Sequence, residues 1–527
     1  MTLSELTGPG GPFEIAESEG PHGVTRNFIR RERSLREVVE RAARRGDKEF
    51  LIQGDRRVTF ADFASLVWGT AGYLIDEHKL SVGDRVAIAA ANSIDWIVSA
   101  FAVASAGGVV VPLNPLWKND ELAFAISDCA AQLVVSEGDR ENTIPFSHIV
   151  RPGSTPPTVE IDEEDPFAIL YTSGTTGQPK GCITTHRGTI AQVRSVIFAG
   201  LSDRDPTAER SKHQPVLLQS SPLFHVSGLH AATCLALAVG MKTVLTPTPF
   251  DPRAVLRLIE QERVTSWGAV PTMVHRVVDC PDAASTDLSS IESISIGGAA
   301  LPPSVLERAQ AVFGLKPKLG NGYGLTEAHG PVTMNAGRSL LRRPGSVGRP
   351  GPLVDLRIID ANNRPVPAEQ VGEVCLHGPT ITPGYWNRNA DNHEVFLDTW
   401  FRTGDLGYVD EDGFLYLVDR LKDMIIRGGE NIYCVEVEDA ITAAPGVDEA
   451  AVFGIPDEEM GERVAAVVRT EPGSPTNAVE LRAFLEAKLA RYKIPERFEF
   501  TTEPLPRNAT GKIVKGDLKA RVNHAPP

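Results

Sequence analysis

The stretch YTSGTTGQPKG, residues 171–181, combines glycines, hydroxyls and a single lysine, and cannot build a core. Gly174 and Gly177 let backbone N–H groups approach an anion closely. Thr172, Ser173, Thr175 and Thr176 add hydroxyl donors, and Lys180 adds a point charge. A triphosphate needs all three. The stretch is not a Walker A loop, because no Gly-Lys-[Ser/Thr] follows a four-residue spacer. CITTH, which follows Lys180, is rich in β-branched residues, so a strand and not a helix N-terminus comes next. The pattern predicts a strand–loop–strand phosphate loop that closes over ATP, with a plain Ser/Gly surface loop as the alternative.

Three further stretches carry compatible chemistry. In NGYGLTE (321–327), Tyr323 is a flat ring suited to stacking on adenine, with glycines on both sides leaving room. Thr326 offers a hydroxyl to a phosphate, and Glu327 a carboxylate to Mg²⁺. SIGGAAL (295–301) reads as a strand ending in two glycines, against which a base can lie on bare backbone. FRTGDL (401–406) supplies Asp405, placed to bond both hydroxyls of a ribose. Each alone could be a turn or a cap; their joint occurrence in this order points to a nucleotide site.

The elements that must position these residues alternate. RVAIAA (85–90) reads as a buried strand, 94–105 as a helix, GVVVPL as a strand, 120–128 as a helix and AQLVVS as a strand. The alternation returns at MKTVLT, 253–262 and VTSWGAV. It predicts an α/β fold with layered, largely parallel sheets. From Leu353 short strands and turns suggest a small β-rich subdomain, and after Asp423 the texture becomes that of a compact α+β unit of about a hundred residues. The expected organisation is an N-terminal domain over 1–419, a hinge at 420–422 and a C-terminal lid over 423–527. Ser34 with Glu37 predicts a capping box ahead of an arginine-rich surface helix.

Bulk properties narrow the class. A chain of 527 residues, 42% hydrophobic, 23% charged and with net charge -15, is an ordinary globular protein without a broad basic face for nucleic acid. Its six cysteines show no C-x-x-C spacing, which argues against a zinc site or disulfide framework and for a reducing cytoplasm. The N-terminus lacks an apolar signal core, and HAPP at the C-terminus carries no lipidation or peroxisomal signal. The apolar run 97–113 is broken by Gly107, Gly108 and Pro112, so it reads as a helix and a buried strand and not as an integral membrane segment. The sequence leaves monomer and homodimer open.

From about Leu35 to Leu518 the chain resembles the adenylate-forming superfamily: AMP-forming acyl-CoA synthetases, luciferases and nonribosomal adenylation domains. The resemblance rests on YTSGTTGQPKG, PLFHVSG, NGYGLTE, FRTGDL, DRLKDMIIRGGENIY and LPRNATGKIVK. It implies a large N-terminal domain with a small mobile lid, and ATP, Mg²⁺ and coenzyme A as reactants. Thr172, Ser173, Gly174, Thr175, Thr176, Gly177 and Lys180 would hold the β- and γ-phosphates. Gly297, Gly298, Ala299, Asn321, Gly322 and Tyr323 would form the adenine slot. Thr326 would touch the α-phosphate, Glu327 would help hold Mg²⁺, and Asp405 with Arg420 would bind ribose. Lys422 matches the hinge position, Lys512 the lysine of adenylation, and Gly428 and Gly429 a loop near the thiol arm of coenzyme A.

The acid pocket implied by the resemblance is lined by His225, Val226, Gly268, Gly298, Gly324 and His329. Where amino-acid adenylating domains usually place an aspartate after the PLF-like motif, this chain has His225, Val226 and Ser227, so an amino acid is disfavoured. Walls drawn from 267–273, 297–299 and 328–332 are mostly small and apolar, with His329 the polar exception. They point to a fatty, aryl or polycyclic acid. The alternatives are an enzyme loading a carrier-protein thiol and a non-enzymatic ATP-binding protein. Lys512, Glu327 and Asp405 argue against the latter.

Overall fold

The computed structural model describes residues 3–138, 142–172, 179–202, 213–298, 303–314, 318–471, 473–507 and 513–524. The chain forms two compact units, Met1–Leu356 with Leu376–Phe401, and Arg357–Cys375 with Arg402–Pro527.

In the larger unit, the β-branched runs at Arg85–Ala89 and Val109–Leu113 pair in parallel, with Ala87 opposite Val111. They sit in a six-stranded sheet ordered Lys180–Thr185, Pro166–Thr172, Val109–Leu113, Arg85–Ala89, Leu133–Ser136, Ile144–Pro145. Only the pair carrying Lys180 is antiparallel, with Lys180 opposite Thr172, as a strand–loop–strand unit requires. Ile94–Ser105 is a helix buried on almost every side, which explains its unbroken apolar run without a membrane. Among the described residues no helix is long and apolar enough to cross one.

A second sheet, of nine strands, places Val216–Gln219, Ser266–Ala269, Ser293–Gly297 and Lys318–Leu325 side by side and parallel. Buried side chains from both sheets and from the helices Leu35–Ala43, Phe60–Asp76 and Ile94–Ser105 join in one core. At the head of Leu35–Ala43, Ser34 Oγ accepts from Glu37 N at 3.3 Å. The Glu37 carboxylate, however, accepts from Arg33 N at 2.9 Å, one residue upstream of the reciprocal bond the capping box predicts.

The smaller unit shows a period-two core. Along Val447–Asp457 and Gly461–Thr470, Ala450, Val452, Val464, Ala466 and Val468 face Val437, Ile441, Leu481 and Leu485 of two helices. The alternate residues Ala451, Phe453, Ala465 and Val467 face Leu518 and Val522 of Lys515–His524. The sheet is covered on both faces, so both sets of side chains are apolar. All six cysteines are buried and free.

Leu485 is wholly buried among these helices. Leu485→Ala should lower the unit's stability by about 2–5 kcal/mol, read as a loss of unfolding midpoint in urea. An unchanged midpoint would show that this helix does not hold the sheet.

Candidate active site

The carboxyl ends of adjacent parallel strands are where open α/β sheets bind ligands. The nine-stranded sheet and the turns after its strands carry the expected adenine-slot and acid-pocket residues that the structure describes. Gly297 lies opposite Gly322 and Ile296 opposite Asn321, so the glycine strand end and the NGYG segment are direct neighbours. A Cβ at Gly297 would meet only Gly322 O, at 3.4 Å, and Gly298 takes φ +81°, a left-handed conformation that favours glycine. Asn321 and Tyr323 are mostly buried. Gly324 has a packing reason of its own: a Cβ there would stand 2.3 Å from Gly330 O on the antiparallel neighbour.

Gly268, in the next strand, lies opposite Ser295, and a Cβ there would meet nothing within 4 Å. Its neighbour Trp267 points the other way, into the core, with Nε1–H donating to Ser220 Oγ at 2.9 Å. Trp267 is therefore core and not pocket wall. His225 and Val226 follow the strand Val216–Gln219 and are half-buried; the His225 ring lies 4.6 Å from that of Phe224. A π-helix, Ser227–Cys234, starts directly after them, a feature frequent at functional sites.

Lys180 opens the second strand of its hairpin. Its ammonium pairs with Asp391 at 3.0 Å and lies 5.6 Å from the centre of the Tyr385 ring. Thr172 stands opposite it. Ser173, Gly174, Thr175, Thr176, Gly177 and Ala299 lie outside the described residues. Thr326 and Glu327 form a single 3-10 turn, and the Tyr385 hydroxyl donates to Glu327 Oε1 at 2.7 Å.

One loop, 380–386, ties these pieces together. Thr382 N donates to Glu327 O at 2.7 Å, Trp386 N to Gly181 O at 2.7 Å, and Ile183 N to Gly384 O at 3.1 Å. Tyr385 and Cys182 form an antiparallel bridge. From the N-terminal hairpin, His22 Nε2–H donates to Thr382 O at 2.6 Å while its ring stacks on Phe396. Tyr385, Asp391, Thr382 and His22 carry no local motif, and sequence reasoning missed them.

His329 belongs to this frame. It is wholly buried; Nδ1–H donates to Thr380 O at 2.7 Å and Nε2 accepts from Thr185 N at 2.9 Å. A carbonyl can only accept, which fixes the tautomer. Both nitrogens bind backbone, so the ring braces the site and offers no polar atom to an acid, contrary to the pocket role expected of it. Burial lowers its pKa to about 4.

The other expected residues lie in the smaller unit. Asp405 and Arg420 are opposite each other in a hairpin and form an ion pair at 3.2 Å. Lys422 is exposed in the turn that follows. Gly428 and Gly429, at φ +58° and +88°, form the two-residue turn joining Ile425–Arg427 to Glu430–Ile432, which needs left-handed conformations at both positions. Lys512 lies outside the described residues. Its flanks pair: Arg507 bridges Ile513 and Val514 N donates to Pro506 O at 2.8 Å. Lys515 then forms a 2.7 Å ion pair with Glu438.

Residues 38–386 match the description of the AMP-binding enzyme, and residues 436–512 that of its C-terminal domain. The chain belongs to the AMP-binding enzyme family. Among curated members it is 37% identical to a feruloyl-CoA synthase from Amycolatopsis sp, over 83% of this chain and 89% of that protein. It is 32% identical to a long-chain-fatty-acid–CoA ligase from Bacillus subtilis, over 95% of this chain and 97% of the other. Among solved structures, o-succinylbenzoate CoA synthetase from Bacillus subtilis, holding its acyl-adenylate intermediate, superposes with TM-score 0.80. Its identity is 30%, with 92% of this chain and 97% of that one covered. Like these relatives, this AMP-binding enzyme is of the acid–thiol ligase class.

The buried histidine gives the family frame a pH signature. Unfolded, His329 titrates near 6.5; folded, near 4. Between those values the unfolded chain binds more protons, so stability falls as pH drops from about 6.5 towards 4, by on the order of 3 kcal/mol for this residue. His329→Gln should flatten that part of the curve of unfolding free energy against pH. An unaltered slope would show that the ring does not stay neutral.

Proposed function

We propose that the protein is an AMP-forming acyl-CoA synthetase for hydrophobic carboxylic acids. The observation that carries this reading is that Tyr385 bonds Glu327 at 2.7 Å and its ring centre lies 5.6 Å from Lys180 Nζ, while Glu327 directly follows the strand Lys318–Leu325, whose Gly322 pairs with Gly297. The segment after the PLF motif offers no carboxylate for a substrate ammonium, since it reads His225, Val226 and Ser227. Apolar and small groups favour a fatty, aryl or polycyclic acid.

The chemistry runs in two steps. A carboxylate oxygen attacks the α-phosphorus of ATP, the bond to the bridging oxygen breaks, and pyrophosphate leaves with the electron pair. The thiol of coenzyme A then attacks the acyl carbon and AMP departs. In the first step two anions approach each other, so the barrier is electrostatic. Lys180 would offset charge on the outer phosphates, Thr326 would bond the α-phosphate, and Lys512 would neutralise the approaching carboxylate. Asn321, Gly322 and Tyr323 would hold adenine, Asp405 and Arg420 ribose, and the Gly428–Gly429 turn the thiol arm.

The residues present fit Mg²⁺. Among the described residues no group of three or more His, Cys, Asp or Glu could cage a metal, while Glu327 presents one carboxylate with an oxygen held by Tyr385. One protein carboxylate plus substrate phosphates is the usual Mg²⁺ arrangement. When bound with ATP, Mg²⁺ supplies charge neutralisation on the phosphates.

The test is a mass-spectrometric assay with ATP, a panel of fatty, aryl, polycyclic and amino acids, and either coenzyme A or a holo-carrier protein. Acyl-CoA, AMP and pyrophosphate from hydrophobic acids are expected. Products from amino acids alone, or acyl transfer to the carrier alone, would overturn the reading. Lys512→Ala should slow adenylate formation by about 100-fold or more, while a supplied acyl-adenylate still passes to coenzyme A at near the wild-type rate. Equal losses in both half-reactions would contradict that division.

A further inference from the structure

We propose that Tyr385 is a positioning residue of the adenylation site: its hydroxyl orients the Glu327 carboxylate, and its ring face receives the Lys180 ammonium. This rests on the reading of the site given above, and assigns a task to a residue outside every motif of the chain.

The geometry carries it. Tyr385 O–H donates to Glu327 Oε1 at 2.7 Å, and Lys180 Nζ lies 5.6 Å from the ring centre. One side chain therefore bonds one, and lies within cation–π range of the other, of the two charged groups expected at the phosphates of ATP, which stand on two separate segments. A hydroxyl fixed on one carboxylate oxygen leaves the second oxygen for a ligand and removes rotation about the last bond of the side chain. A phenol, with an ordinary pKa of about 10, is protonated at neutral pH and so donates to the carboxylate.

Tyr385 is itself rigidly placed. Its N–H donates to Asn392 Oδ1 at 2.7 Å, and Asn392 Nδ2 donates back to Tyr385 O at 3.1 Å. Gly384 takes φ +143°, and a Cβ there would meet the Asn392 side chain at 2.8 Å, so the turn that aims the ring requires glycine. Bridging to Cys182 and the bond from Trp386 N to Gly181 O clamp it along the lysine strand. Asp391, within the same Tyr385–Asn392 turn, takes Lys180 on its other side at 3.0 Å. Partners that orient a metal-binding carboxylate typically change metal affinity by about 10–100-fold when removed.

The experiment uses the full chain, with Mn²⁺ as the probe for the metal and ATP as co-ligand, read by electron paramagnetic resonance of free Mn²⁺. Tyr385→Phe keeps the ring and loses the hydroxyl. It should weaken Mn²⁺ binding to the enzyme–ATP complex about tenfold, with the KM for ATP at saturating metal within about twofold of wild type and the thermal midpoint unchanged. Tyr385→Leu removes the ring as well and should raise the KM for ATP about fivefold in addition, the scale of a partly desolvated cation–π contact. In a Glu327→Gln background, Tyr385→Phe should add no further loss of Mn²⁺ affinity, because the hydroxyl acts through the carboxylate. Mn²⁺ affinity of Tyr385→Phe equal to wild type, or losses that simply add in the double variant, would overturn the proposal. A wild-type enzyme that binds no Mn²⁺ with ATP would overturn the functional reading, and this inference with it.

Discussion

The backbone bond from Thr382 N to Glu327 O is the link on which the geometry of the larger unit depends. Glu327 sits on a one-turn 3-10 element after the strand Lys318–Leu325, and Lys180 sits on the edge strand of a different sheet. Nothing local relates them. The loop 380–386 does so by bonding the turn at one end and pairing with the lysine strand at the other, while His329 spans Thr185 and Thr380 beside it. A charged group pre-placed in this way need not reorganise when charge develops, which is the main source of electrostatic rate enhancement in enzymes.

Uncharged, buried imidazoles lie along the same part of the larger unit. His329, His186 and His230 are fully or almost fully buried and held neutral by desolvation. A charged imidazole buried in these places would have to be solvated or paired at a cost of several kcal/mol. The neutral His329 instead donates to Thr380 O and accepts from Thr185 N, while Lys180 is partnered by Asp391 at 3.0 Å.

Much of this was legible in the sequence because it is local. The strand Lys180–Thr185 follows from its β-branched residues, and the buried helix Ile94–Ser105 from its unbroken apolar run. The neighbourhood of Gly268, Gly297 and Asn321 follows from parallel topology, since the three lie on adjacent strands, Gly268 opposite Ser295 and Asn321 opposite Ile296. What could not be read was long-range. Tyr385 is 58 positions from Glu327, and its partner Asn392 looks like any surface amide. His329 sits in a promising motif, yet its two nitrogens go to backbone at Thr185 and Thr380, a choice that only the folded loop determines. Trp267 illustrates the strand rule: beside Gly268, it must face the opposite side, and that side is core.

Glycines show the limit of reading function from residue type. Gly324 and Gly428 lie in stretches associated with ligands, but each has a structural reason of its own: a Cβ at Gly324 would strike Gly330 O at 2.3 Å, and Gly428 takes φ +58° in a tight turn. Gly268 and Gly297 have no such clash, and for them the open space itself is the feature. The central claim is that one braced frame holds Glu327 and Lys180 for the same nucleotide. A crystal structure of the wild-type enzyme with ATP and Mg²⁺ tests it most directly. The account predicts Glu327 on the metal and Lys180 on a phosphate, with the bonds from Thr382 N to Glu327 O and from Trp386 N to Gly181 O still made. A nucleotide bound with Glu327 turned away from the metal, or with those two bonds broken, would contradict it.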